Sequence, residues 1–247
     1  MSRFTLGLIL ALLLGVSLVA SAPARLLNLV LPAEQVLMQG FGGTLWRGSA
    51  SRALVRAGPG YLHLGAVHWS LDPLSLLLLA PRLTLSSVWG NQVISGDLVL
   101  RGAQDIDLYE FEAVVAANLL RQFAPVALTG SLSAQLDSLQ LRNGLPHSGD
   151  GRLVWQNGGW QSPRALLPLG TYALDFHQAP CEMLQGKIVT VAGPVEANGT
   201  VELQSRDYRV DILVSSEVAM DAQLEQALSL IAPPESGGYR VVFDGEF

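Results

Sequence analysis

The sequence predicts a mainly β protein: an N-terminal transmembrane helix followed by a curved antiparallel β-sheet domain with two short helices, an order that also admits two tandem β units. Three observations carry this. From Phe4 to Ala22 nothing is charged, and Thr5, Ser17 and Ser21 alone bring hydroxyls into a run of Leu, Ala, Val and Gly. After Gly40 short runs alternate apolar and polar residues with period two between glycine, asparagine and aspartate, the signature of half-buried strands. Two later stretches place their apolar residues near helical spacing.

At about 1.5 Å per helical residue the first run spans roughly 28 Å, close to the hydrocarbon thickness of a bilayer. Residues 1–24 are therefore expected to be a cytoplasmic tip and an anchor, with residues 4–22 in the bilayer. Arg3 and the amino terminus lie on one side, so the positive-inside tendency sends the rest of the chain across. A cleaved leader is the alternative. Ala20-Ser21-Ala22 has the small residues for cleavage, but Pro23 follows directly and the apolar run exceeds the usual core of about 7–15 residues. Either way the destination lies outside the cytoplasm.

Residues 25–39 read as an amphipathic juxtamembrane segment, broken at Pro32. A first β-rich unit is expected over 40–129 and a second over 130–247. Runs such as Tyr61–Leu64, Leu132–Leu136 and Tyr172–Phe176 follow closely on Gly60, Gly130 and Gly170, and Leu83–Ser86 and Tyr208–Ile212 share their alternation. Tight turns need positive φ, which glycine supplies at least cost. About a dozen such strands with short links predict an antiparallel meander with one wet and one dry face.

The helical spacing covers Phe111 to Phe123 and Val218 to Ile231, the second with Asp221 as a candidate N-cap. Each ends at Ala-Pro, and a glycine (Gly130, Gly238) opens a strand five residues after the proline. Gly43-Thr44-Leu45 also precedes Trp69 by about as much as Gly130-Ser131-Leu132 precedes Trp155. These echoes motivate the tandem units. Leu74–Ala80, between Pro73 and Pro81, is too short to span a bilayer and reads as a buried strand or a helical turn.

Composition narrows the chemistry. Fifteen basic and twenty-one acidic residues leave −6, which argues against a nucleic-acid partner. Cys181 is the single cysteine, so an internal disulfide and a thiolate zinc cluster are both excluded. His63, His68, His147 and His177 fall on separate segments without metal-binding spacing. There is no nucleophile elbow and no phosphate loop. Asp105, Asp107, Glu110 and Glu112 alternate with apolar residues and read as a solvated edge rather than a calcium loop. Asn198-Gly199-Thr200 reads as a hairpin turn. The expectation is a protein without catalysis, cofactor or metal.

The most specific word is Gly43-Thr44-Leu45-Trp46-Arg47-Gly48-Ser49-Ala50. Two glycines bracket a short β segment with Leu45 and Arg47 on one face and Trp46 on the other. Gly43, Thr44, Leu45, Trp46, Arg47, Gly48, Trp69 and Trp155 are the candidate structural or interface residues.

With the anchor, Leu31-Pro32, this word, Trp69 followed by Asp72-Pro73-Leu74, Gly151-Arg-Leu-Val-Trp155, Leu169-Gly170-Thr171-Tyr172 and a closing helix before Gly238-Tyr239-Arg240-Val241, the chain resembles the type II secretion system protein N family of Gram-negative bacteria. The resemblance covers most of the chain. It implies a single-pass inner-membrane protein with a periplasmic β-rich scaffold, accessory to the export of folded proteins across the outer membrane. It also implies contacts with other inner-membrane and periplasmic subunits, the secretin being a further candidate, and brings no catalytic residues. A second function of a different class stays open: an anchored periplasmic β-groove that shields or carries lipid.

Overall fold

The computed structural model describes residues 3–32, 34–57, 60–102, 104–122, 127–162, 165–179, 183–216, 220–235 and 237–246. Helix α1 (Arg3–Ala20) is followed by a 3-10 turn (Ala24–Leu26) and the single-turn α2 (Leu27–Val30). The meander then begins with β1 (Val36–Gly43), β2 (Arg47–Ala57) and β3 (Gly60–Leu71). Helix α3 (Pro73–Leu77) precedes β4 (Arg82–Trp89), β5 (Gln92–Leu100) and β6 (Ile106–Ala116). After the 3-10 turn Ala117–Gln122 come β7 (Leu128–Arg142), β8 (Leu145–Gln161), β9 (Leu166–Ala179), β10 (Met183–Ala192), β11 (Glu196–Gln204) and β12 (Asp207–Ser215). Helix α4 (Ala222–Ile231), the two-residue β13 (Pro234–Glu235) and β14 (Gly238–Glu246) close the chain.

All fourteen strands belong to one antiparallel sheet, in chain order except that β14 inserts between β12 and β13. The period-two pattern explains the stacking. One cross-strand row reads Ile94, Ala113, Ala134, Leu153, Leu174, Ile188, Gly199, Ile212 and Val241. The neighbouring row on the opposite face reads Ser95, Glu112, Gln135, Arg152, Asp175, Lys187, Thr200 and Asp211. One face is thus apolar and the other carries charges of alternating sign, which is favourable where opposite charges face each other across strands.

The apolar face has little cover. A compact monomer of 26.4 kDa exposes about 10,600 Å², whereas this chain exposes 15479 Å². The protruding α1 supplies part of the excess and the open sheet the rest. A cluster of fully buried side chains forms at one end, where Ala24, Ala50, Ala53, Val67 and Trp69 meet with Leu27, Met38, Phe41, Leu64, Leu83 and Leu85 packed around them.

Several expectations need correction. Phe111–Ala116 is strand rather than helix, because Phe111, Ala113 and Val115 also satisfy period two and pair with Leu136, Ala134 and Leu132. Glu110, at φ 47°, marks the irregularity where the β5–β6 register shifts. Ala117–Gln122 forms the 3-10 turn, and the Ala124-Pro125 end lies outside the described residues. Near the C-terminus α4 does form, with Asp221 accepting from Gln223 N–H at 2.8 Å; Val218 lies outside the described residues, as does Cys181.

Strand β1 begins at Val36, inside the segment read as juxtamembrane, and the 129/130 boundary falls within β7, bonded on both sides. Asn198-Gly199-Thr200 is mid-strand in β11 and not a turn; Gly199 lies so close to the Asp211 carbonyl that a Cβ would not fit. Among the described residues no helix is long and apolar enough to cross a membrane. The side chains of residues 3–6, 8, 9, 11 and 12 are outside that set.

Candidate interaction site at the junction of stem and sheet

Six of the eight candidate residues form one hairpin. Strands β1 and β2 turn through Leu45 and Trp46, closed by Thr44 N–H donating to the Arg47 carbonyl at 2.9 Å and Arg47 N–H donating to Thr44 Oγ1 at 3.2 Å. Gly43 lies at φ 78°, a left-handed conformation that glycine adopts without strain. Gly48 is required for another reason: the Trp69 ring lies where its Cβ would be. Trp69, on β3, is 6% exposed, donates its indole N–H to the Leu45 carbonyl at 3.0 Å and meets Phe41 edge-on at 6.3 Å.

The hairpin grips the end of α1. The last carbonyls of a helix have no partner inside it, and the Trp46 indole N–H supplies one, donating to the Val19 carbonyl at 2.8 Å. Leu45 N–H donates to the Ala22 carbonyl at 2.7 Å, and Pro23 bridges to Thr44. On the far side Leu71 N–H donates to the Trp46 carbonyl at 2.7 Å, so stem, hairpin and β3 form one bonded unit. Trp46 itself is half-buried and Arg47 exposed. Both line a cleft of about 440 Å³ with Ala20, Ser70, Asp72, Pro73 and Arg82.

Trp155 lies elsewhere. It sits in β8, donates to the Thr129 carbonyl at 2.9 Å and tilts against Tyr172 at 5.7 Å. Burial pushes the Tyr172 phenol up to about 12, and its hydroxyl donates to the Val195 carbonyl at 2.8 Å. On β8 as on β3, a tryptophan therefore reaches back to a main-chain carbonyl about 25 residues earlier.

Two features escaped the sequence reading. Asp107, taken as part of a solvated edge, is 1% exposed and receives Arg101 Nε at 2.5 Å and an Arg142 guanidinium nitrogen at 2.7 Å. Burial alone would raise its pKa, but the two guanidiniums outweigh that and hold it below the ordinary carboxylate value. Nothing in the local spacing announces this, since Arg142 comes from a hairpin 35 residues away. The second is Ala24, which the small-residue stretch Ser21–Ala24 delivers into the core; a bulkier side chain there would hold the stem off the sheet.

Among the described residues no cluster of three or more His, Cys, Asp or Glu could hold a metal ion. Hydrogen-bond donors and apolar surface fixed beside the end of a helix suit binding and positioning.

Comparison with known proteins agrees with the motif. The model of the family described as type II secretion system (T2SS), protein N matches residues 34–242. The chain is 30% identical over 251 residues to a type II secretion system protein N of Pectobacterium carotovorum subsp. carotovorum, covering 98% of this chain and 96% of that protein. It is 28% identical to the proteins of the same description from Aeromonas hydrophila (90% of this chain, 89% of that protein) and Klebsiella pneumoniae (90% and 92%). No solved structure matches it. On the strength of a family match that runs from just before the first strand into the last, this chain belongs to the type II secretion system protein N family.

Proposed function

We propose that this chain is an accessory inner-membrane component of the type II secretion system, anchored by α1 and its flanking residues. Its β-rich body stands in the periplasm as a scaffold that supports export of folded proteins without itself turning over a substrate. Family membership supports the role in secretion and implies contact with other subunits of the system; inner-membrane and periplasmic subunits are the expected partners and the secretin a further one. The observation that carries the anchor is the character of α1. Leu10, Leu13, Leu14, Val16, Leu18 and Val19 are each more than half exposed, in a run uncharged from residue 4 to 22, yet the end of this helix is hydrogen-bonded to Trp46. A bilayer is the partner that such a surface fits.

The test replaces α1 by a cleavable leader, so that the body reaches the periplasm untethered. Secretion of the system's cargo is expected to fall, and crosslinks to other subunits to disappear. Undiminished secretion, or catalytic turnover by the purified chain, would overturn the proposal.

A second reading, lipid shielding, is favoured by the long apolar rows that remain half-buried across the sheet. Phospholipid that copurifies at a fixed ratio and is lost in Leu174→Asp would support it; a lipid-free preparation would count against it.

A further inference from the structure

Outside the stem, the densest group of exposed apolar side chains is the loop between β3 and β4. Leu74, Leu78 and Leu79 are 70%, 80% and 87% exposed, and Leu76 is 38% exposed. Single exposed leucines need no explanation, but four within six residues do.

The loop is held at its base and displayed at its tip. Asp72 caps α3 by accepting from Leu74 N–H at 3.0 Å, behind Pro73 at the first helical position. Ser75, buried, donates from Oγ to the Asp72 carbonyl at 2.5 Å and accepts from Arg82 N–H at 2.8 Å. Asp72 N–H in turn donates to the Arg82 carbonyl at 3.0 Å. The polar groups of the base are satisfied internally, and the leucines stand outward at the rim of a cleft of about 430 Å³ that Leu74 and Leu78 share with Val99, Arg101 and Tyr109. Their outward display is built into the fold.

Position then identifies what covers them. The bonds from Val19 to Trp46 and from Trp46 to Leu71 link the end of α1 to the residue just before this loop, and Ala20 and Pro73 line the same cleft. Arg47 and Arg82 line it too. Both are exposed, and among the described residues neither makes an ion pair. Aliphatic side chains one bonded link from the end of an apolar stem, with two cations outnumbering the single anion Asp72 in the cleft between, are the composition of an interfacial membrane contact. A protein-binding hot spot would instead favour aromatic anchors, and residues 73–81 contain none.

We propose that the loop carrying Leu74, Leu78 and Leu79 dips into the bilayer surface beside the stem, with Arg47 and Arg82 facing anionic headgroups. The molecule is then held at two points, which fixes the orientation of the sheet above the membrane. This inference rests on the reading of α1 as the anchor.

The test uses the full-length chain with Cys181→Ser, inserted into vesicles of phosphatidylethanolamine and phosphatidylglycerol. An environment-sensitive fluorophore is attached in turn at Leu78→Cys, Leu79→Cys, Leu13→Cys in the stem, and Leu230→Cys. Leu230 is 81% exposed but lies on α4, next to the opposite edge of the sheet, so it reports what an exposed leucine position does away from the stem. Lipids with a quencher near the headgroup are expected to quench positions 78 and 79 several-fold more than position 230, while lipids with a quencher deep in the acyl chain quench position 13; the excess at 78 and 79 should shrink when phosphatidylglycerol is omitted or when Arg47→Gln and Arg82→Gln are combined. Quenching at 13 with none at 78 and 79, or equal quenching at 78 and 230, would overturn the proposal and leave the anchor standing. Absence of quenching at 13 as well would overturn both. Unchanged far-ultraviolet circular dichroism confirms that each labelled chain is folded.

Discussion

The first three strands and the last nine are built from the same alternating grammar but are stabilised differently. Around β1–β3 the sheet has a second layer, because residues 21–27 fold back and put Ala24 against Ala50, Ala53, Val67 and Trp69. From β6 onward the equivalent apolar rows are mostly half-buried, and the ladder relies on cross-strand neighbours within the sheet, with exposed ion pairs such as Arg152–Asp175 and Arg240–Asp211 lining the polar face. Dense packing therefore sits where α1 and the residues after it meet the sheet. The remainder is a continuous surface available for contact.

The contrast is tested most severely by its two ring-anchored tryptophans. Trp69→Ala removes a buried ring and the donor to Leu45, and should cost about 3–5 kcal/mol. Trp155→Ala, at a half-buried site, should cost roughly half as much, since part of its cavity opens to water. Urea denaturation of the two variants measures both. Equal losses would show the later strands to be packed as tightly as the first.

Next in size is Asp107, a buried carboxylate that joins the β5–β6 and β7–β8 hairpins. Asp107→Ala leaves two arginines facing each other and should destabilise by roughly 2–3 kcal/mol, below the loss for a wholly buried pair because both guanidiniums regain water. The same site sets an acid limb. Its folded pKa lies below the ordinary 3.8, so the unfolded chain takes up the proton more readily. The stabilisation is thus complete above the ordinary value and is lost as pH falls through the folded one. Stability measured from pH 6 downward should decline below about pH 4, and more shallowly in Asp107→Asn.

How far the sequence speaks follows from the same contrast. Period-two alternation is a local property, so the meander, its two faces and the capped helix α4 were readable. Phe111–Ala116 misled because its apolar residues satisfy periods of 2 and 3.6 at once, and only the partner strand β7 decides. The junction was half readable: the glycines and tryptophans of residues 43–48 marked a constrained hairpin, but its grip on Val19 and Ala22 joins segments more than twenty residues apart. Asp107 was unreadable for that reason too, since its burial depends on an arginine from a distant hairpin. Leu74–Ala80 shows a further limit, because composition records that leucines are present and not whether anything covers them.

A smaller effect isolates the grip itself. Trp46→Phe keeps most of the ring and deletes the donor to the Val19 carbonyl, so it should cost about 1 kcal/mol. Because Val19 lies in the last turn of α1, the loss should appear as faster amide hydrogen exchange at the helix end and little change in β5–β14. Exchange that rises uniformly would mean that Trp46 serves the whole sheet, and that the junction and the later strands are one cooperative unit.

The smallest effect belongs to the polar face. Arg152 and Asp175 face each other across β8 and β9 with two hydrogen bonds, of 2.5 and 2.8 Å, yet both side chains are about half exposed (55% and 46%). The Arg152 guanidinium holds the Asp175 carboxyl below its ordinary value, a shift that water and salt screen at such exposure. Arg152→Gln should leave the denaturation midpoint unchanged at physiological salt and lower it slightly at low salt. A loss comparable to that of Asp107→Ala would mean that the alternating charges from Glu112 to Asp211 act as a coupled network across the strands. The open sheet would then owe its order to its wet face, not to the apolar rows beneath.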